Sequence, residues 1–215
     1  MSANKENEKR IVKRILVISG IVLLALCLLV GALVLVSMLL EEEDLTPALP
    51  PEAFFSADYS ENIFEDPAYM SMNRAVYFKQ YGSGEQLTEE NYLDYGECAE
   101  FFYHYFDNVI RGDYNAYHQM LTESFLESED VPDRFTMQMI YDIEVDQVQS
   151  GGSAEYQGET VNVYFFEVKY KIYRNNGTFR NDVASNQSTT QYYHLYSYQG
   201  ELYLNAVQDK WVVLE

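Results

Sequence analysis

The chain has 215 residues and carries 34 acidic against 14 basic side chains, a formal charge of −20 at pH 7. That length fits one ordinary domain plus a remainder, and so acidic a chain excludes a nucleic-acid binder, which needs a basic surface to displace counterions from phosphates. With 47% hydrophobic and 15% aromatic residues there is ample material for a core, which excludes disorder throughout.

Residues 15–40 run without a charge, their polar members being Ser19, Cys27 and Ser37. In hydrocarbon the backbone must satisfy itself within a helix. At roughly 1.5 Å per residue the run is about 39 Å long, more than a hydrocarbon core of about 30 Å, so it is read as a tilted transmembrane helix. Lys5, Lys9, Arg10, Lys13 and Arg14 precede it, and Glu41-Glu42-Glu43-Asp44 follows. The positive-inside rule then puts tail 1–14 in the cytoplasm and the strongly acidic remainder outside, a single-pass cell-membrane protein whose first partner is lipid. A cleaved secretory signal would need a shorter apolar region and a small-x-small site, which Leu35-Val36-Ser37 does not supply. Leu24-Ala25-Leu26-Cys27 is a poor lipoprotein box, because bulky Leu26 precedes the cysteine.

Beyond the helix Cys98 is the one cysteine, so two outer thiols cannot pair. A small secreted animal domain would usually be stapled by disulfides, and their absence points to a bacterial cell surface. Asn176-Gly-Thr178 and Asn186-Gln-Ser188 match glycosylation acceptors but are expected to stay unmodified there.

Residues 41–65 hold the four acids, then Pro47, Pro50 and Pro51, and read as a stalk. The lead-in 66–87 has two readings. Asp66-Pro67 resembles an N-cap with proline at the first helical position and Gly82 a C-cap, whereas Val76, Tyr77, Phe78 and Tyr81 favour a strand. From Leu87-Thr88-Glu89-Glu90 a long helix is expected to run to about Arg111, with Cys98, Phe101, Phe102, Tyr105, Val109 and Ile110 on one face. Gly112 stops it. Asp113 then caps a second helix with Tyr114, Tyr117, Met120 or Leu121, and Phe125 facing inward. Pro132-Asp133-Arg134 with Phe135, Met137 and Ile140 suggests a third, brief helical segment.

After Tyr141 the period changes to two. Ile143, Val145 and Val148 form a first strand expected to end at Gly151-Gly152. Next, Val161, Val163 and Phe165 alternate on odd positions but Phe166, Val168, Tyr170 and Ile172 on even ones, so a bulge is expected near Phe165-Phe166. Two further strands span about 189–198 and 201–213, joined by Gln199-Gly200. Helices first and then a long bent antiparallel sheet make an α+β domain over residues 88–215.

Three features, Ala99-Glu-Phe-Phe-Tyr-His-Tyr-Phe106, Gly112-Asp-Tyr-Asn-Ala-Tyr117 and Gln208-Asp-Lys-Trp211, give this part a form that resembles the nuclear transport factor 2-like, or ketosteroid-isomerase-like, superfamily of cone-shaped domains. The resemblance implies a curved sheet around the leading helix. It implies no activity, since many relatives do no chemistry, and membrane-anchored ones serve as assembly or spacer modules.

No chemical motif stands out. His104, His118 and His194 share no metal-ligand spacing and there is no Cys-x-x-Cys, so no metal and no cofactor are expected. Ser83 between Gly82 and Gly84 reads as a turn rather than a nucleophile, and Glu127–Asp130 lacks the ligand order of a calcium loop. All 20 tyrosines lie after residue 58. The densest group, Tyr192, His194, Tyr196 and Tyr198, is the candidate ligand-binding set, with His194 a conceivable general base in the cone mouth. The expected function is a non-enzymatic interaction or assembly module outside the membrane, with a surface protein or a second copy as partner. The alternative is a domain that binds a small ligand, cell-wall glycan or peptide in the cone or on the tyrosine-rich sheet.

Overall fold

The computed structural model describes residue 50, residues 53–128 and residues 130–210. The chain divides into two compact units, Met1–Thr46 and Pro47–Glu215. The expected membrane helix over 15–40 and Trp211 lie outside the described residues, among which no helix is long and apolar enough to cross a membrane.

The domain is α+β. Asp66 caps the short helix α1 (Pro67–Met70), its carboxylate accepting from the backbone N–H of Ala68 and Tyr69. Strand β1 (Val76–Gln80) follows, so the lead-in contains both of the alternatives its sequence left open. Gly82 ends no helix. With Tyr81 at φ 54° and Gly82 at φ 79°, the pair forms the two-residue turn into β2 (Ser83–Gln86), the backbone twist that tight hairpins favour.

Helix α2 (Glu97–Arg111) begins later than expected, because Gly96 at φ 84° separates it from a 3-10 turn over Tyr92–Tyr95. All six residues assigned to its inner face are buried, together with Ala99 and Phe106. At its end the Asp113 N–H donates to the Asn108 carbonyl, and Gly112 takes the left-handed conformation this cap requires. Asp113 opens α3 (Tyr114–Gln119) and Thr122 opens α4 (Glu123–Leu126), each accepting from a first-turn N–H.

The third helical segment does not form. Residues 132–139 are irregular, because the Gln138 N–H donates to the Ile110 carbonyl at the end of α2 and the Tyr173 N–H donates to the Met139 carbonyl. Those tertiary bonds replace helical ones, while Phe135 and Met139 are buried without helical periodicity.

Strands β3 (Ile140–Tyr156), β4 (Glu159–Ile172), β5 (Gln191–Tyr198) and β6 (Glu201–Gln208) complete a six-stranded sheet among the described residues, ordered β2-β1-β3-β4-β5-β6. It is mixed rather than purely antiparallel: β1 pairs parallel with β3, with Val76 opposite Ile143. A β-hairpin thus precedes α2, α3 and α4 instead of all strands following them. Nor does β3 end at Gly151-Gly152. It continues through them, Gly151 standing at φ 97°, and turns at Gln157-Gly158.

β3 has 17 residues against 14 in β4, and the pair shows three register shifts, between Tyr141 and Glu144, Gln147 and Gln149, and Ser150 and Gly152. The whole excess lies in β3, so the bulge expected at Phe165-Phe166 is at that level but inserts Val148 in the partner strand. β4 itself stays in unbroken register with β5 from Asn162 to Val168. Its change of phase has another cause: Phe166 faces α2, and Val161, Val163 and Phe165 are buried on the opposite face.

α2 contacts both β1 and β6. These lie four strand spacings apart, about 19 Å across a flat sheet, whereas a helix is about 10–12 Å wide. The sheet therefore curves around it. Phe102 on α2 lies 4.8 Å from Phe166, 6.0 Å from Tyr193 and 6.4 Å from Phe78, ring centroid to centroid, touching three strands at once.

Gly112 and Gly158 provide a paired test of this arrangement. A Cβ on Gly112 would stand 2.7 Å from the Met137 backbone nitrogen, whereas one on Gly158 would meet nothing within 4 Å. Gly158→Ala is expected to cost about 1 kcal/mol through its positive φ alone, and Gly112→Ala more than about 2 kcal/mol through clash with fixed backbone. Urea unfolding midpoints of the two variants check the difference.

Candidate functional site

The concave side of the sheet is occupied by side chains. Tyr105 from α2, Tyr117 from α3, Tyr170 from β4 and Tyr193 from β5 meet there with Phe102, Phe106 and Phe135, all buried. The Tyr105 and Tyr193 hydroxyls lie 3.3 Å apart and serve each other as hydrogen-bond partner. The loop between β4 and β5 supplies Arg180, 6% exposed, whose guanidinium stands 5.4 Å from the Tyr170 ring centroid. Its Nε donates to Asp182 at 2.9 Å and its Nη2 to both Asp182 and the Thr189 hydroxyl. Burial pushes the phenols of Tyr105, Tyr193 and Tyr170 upward, so they stay neutral at physiological pH.

Chemically this interior resembles a core more than a reaction chamber. Among the described residues no carboxylate is buried, and the phenols are too weakly acidic to exchange protons near neutrality. Burial lifts the Cys98 thiol to about 12, beyond nucleophilic use, and its 4% exposure makes it a poor crosslinking handle. Among the described residues no cluster of histidine, cysteine or acidic side chains could hold a metal ion. His104 is exposed, and Nε2 of His118 lies 3.0 Å from the Pro132 carbonyl.

Strand β5 brings Tyr192, His194, Tyr196 and Tyr198 to one face, since alternate residues of a strand point the same way. That face is the outer one. The residues of β5 that enter the interior are Tyr193 and Leu195, so His194 lies on the face opposite the interior in which its sequence context suggested a base. His194 pairs with Phe165 on β4, the rings 4.8 Å apart, and is 2% exposed. Its Nε2 makes no hydrogen bond among the described residues, and burial holds its pKa below the ordinary 6.5.

Around it Tyr156 from the end of β3 meets Tyr196 at 5.8 Å and Tyr198 at 5.2 Å, both edge to face. The Tyr156 hydroxyl reaches the Glu123 N–H at 3.4 Å, and the Tyr203 hydroxyl donates to Glu201 at 2.6 Å. The four rings are half-buried, beside a floor of Val161, Val163, Phe165 and His194. Tyr156 and Tyr203 escaped the sequence reading because they join the group only through strand pairing. Arg180 escaped because its loop has no periodicity. Val161, Val163 and Phe165 do leave a signal, the odd-position run, which a local bulge would equally produce.

A crevice of about 10 Å³, room for one water, lies between Phe55, Glu61, Ile63, Gln138 and Arg174. Arg174 bridges Glu61 and Asp66 across it, and the Phe55 N–H donates to the Asn175 carbonyl. The described end of the expected stalk is thereby fastened to the domain, with Ile63 in the core. In comparisons with known proteins the chain matches no family model, no curated protein and no solved structure.

Two measurements follow from this geometry. Tyr105→Phe and Tyr193→Phe are each expected to cost about 1 kcal/mol, and the double variant less than the sum, because both remove the same bond; a denaturation cycle reads this directly. As pH falls through about 6.5, His194 in the unfolded chain takes up a proton that the folded protein resists. This residue therefore makes stability fall with acidification below that value. His194→Gln is expected to flatten that part of the stability–pH curve, as measured by thermal melts between pH 5 and 7.5.

Proposed function

We propose that the chain is a membrane-tethered interaction or assembly module without catalytic activity. In this reading residues 15–40 span the cell membrane, residues 1–14 lie in the cytoplasm, and the α+β domain works outside. What carries the reading is the filled concave side. Phe102, Tyr105, Tyr170 and Tyr193 meet there, all buried, with the Tyr105 and Tyr193 hydroxyls paired, which is the packing of a core rather than the lining of a small-molecule site. A helix held in a curved sheet with an aromatic filling also supports the proposed kinship with the nuclear transport factor 2-like cones, in a variant built for contact rather than catalysis. The high acidity favours a partner surface carrying basic side chains.

A second reading is supported by the outer tyrosines. Tyr156, Tyr196, Tyr198 and Tyr203 offer rigid rings with polar tips, suited to stacking on glycan or gripping an extended peptide of the cell wall.

The test uses the full chain in its membrane, with a photo-crosslinking residue at Tyr81, which is 81% exposed, or at Tyr198. The module reading expects a discrete protein adduct, whose mass separates self-association from a second protein. The glycan reading instead expects sedimentation with wall fragments, lost in Tyr196→Ala/Tyr198→Ala. Adducts with lipid alone and no wall binding would overturn both.

A further inference from the structure

We propose that the distal half of β3 is a docking edge, which takes an extended basic segment of a partner protein by backbone pairing. This rests on the interaction-module reading above and adds to it the mode of contact. β1 pairs with β3 only over Ile143–Asp146, and among the described residues no strand lies on that side of β3 from Gln147 to its end at Tyr156. Gly151, Ser153 and Glu155 are exposed there. Sheet edges are commonly guarded by lysine, proline or a covering segment, and Ser150-Gly-Gly-Ser-Ala154 supplies neither of those residues. Bulges at Val148 and Gly151 bend the first part of this edge, which leaves Gly152–Tyr156 as the regular piece, in unbroken register with Val163–Glu159.

The hairpin turn fixes which backbone groups point outward. Tyr156 and Glu159 flank a two-residue turn, with Gln157 at φ 53° and Gly158 at φ 78°, so they form a hydrogen-bonded pair. Alternation makes Ala154–Val161 the next such pair and turns the N–H and C=O of Ser153 and Glu155 away from β4. Among the described residues no other backbone group meets these four. An added strand satisfies them, its main-chain bonds providing affinity. Because β1 runs parallel to β3, Tyr81 just past its end, 81% exposed, stands at the head of the same open side.

Charge selects the occupant. Asp146 and Glu155 flank the edge, and neither forms an ion pair among the described residues. A segment carrying lysine or arginine neutralises them, whereas a second copy brings the same carboxylates and a formal charge of −20 to the contact.

The probe is a fluorescein-labelled, alternating Lys–Thr peptide, read by anisotropy against the full chain in neutral-detergent micelles, with the Glu–Thr peptide as charge control. Saturable binding of the Lys–Thr peptide alone is expected. Ser153→Pro removes an outward N–H without touching the β4 ladder, and should weaken binding about tenfold or more while the far-ultraviolet circular dichroism stays native. Ser153→Ala should bind as the parent does. No saturable binding, equal binding of the two peptides, or binding that Ser153→Pro leaves unchanged would overturn the proposal. Should Ser153→Pro fail to fold, amide hydrogen exchange of the parent chain decides. Bound peptide is expected to slow the Ser153 and Glu155 amides several-fold, and unchanged exchange at both overturns the inference. In cell membranes, a protein adduct from the Tyr81 crosslinker that is lost in Ser153→Pro supports it. An adduct that persists overturns the docking edge while the module reading stands, and no protein adduct at all overturns both.

Discussion

The insertion of α2 into the curve of the sheet is the constraint on which the rest of the molecule depends. Phe102 meets Phe78, Phe166 and Tyr193, and Phe106 meets Tyr170 at 5.5 Å, so one helix face is packed against β1, β4 and β5 together. Burying each such ring is worth about 2–3 kcal/mol, but the contact with several strands matters more than the sum. A flat sheet could present only some of those strands to a single helix. The three extra residues of β3 supply the bend, because bulges raise local twist and let one strand of a pair travel farther than its neighbour.

That constraint decides what the interior can do. Once the sheet closes on α2, the remaining space is taken by Tyr105, Tyr117, Tyr170 and Tyr193, with Arg180 above the Tyr170 ring. Polar atoms there pair with one another in the Tyr105–Tyr193 and Arg180–Asp182 contacts, while Nη1 of Arg180 is buried without a hydrogen bond among the described residues. The half-buried tyrosines Tyr156, Tyr196, Tyr198 and Tyr203 stand on the outer face instead. β4 and β5 consequently bury residues on both sides near Phe165-Phe166, which is unusual for an antiparallel region with a wet face.

The edges of the sheet are handled differently from its faces. The outer edge of β6 is occupied at Leu204, whose N–H donates to the Met120 carbonyl and whose carbonyl accepts from the Thr122 N–H. β2, at the other edge, is only four residues long. Both are devices that keep sheet edges from recruiting further chains.

Much of this was legible in the sequence where the signal is local. The spacing of Cys98, Phe101, Phe102, Tyr105, Val109 and Ile110 announced the buried face of α2, Gly112-Asp113 announced the cap and restart, and alternation after Tyr141 announced strands. Such signals are local because a helix or strand face is set by residues a few positions apart. What only the tertiary structure decided involves partners distant in the chain. Residues 132–139 stay out of a helix because Ile110, Tyr173 and Thr178 offer them hydrogen bonds. β1 joined the sheet in parallel beside β3, and Tyr193 rather than His194 entered the interior. Which face of a strand is wet depends on what lies against it, and with both faces of β4 buried, residue alternation carries no information about that choice.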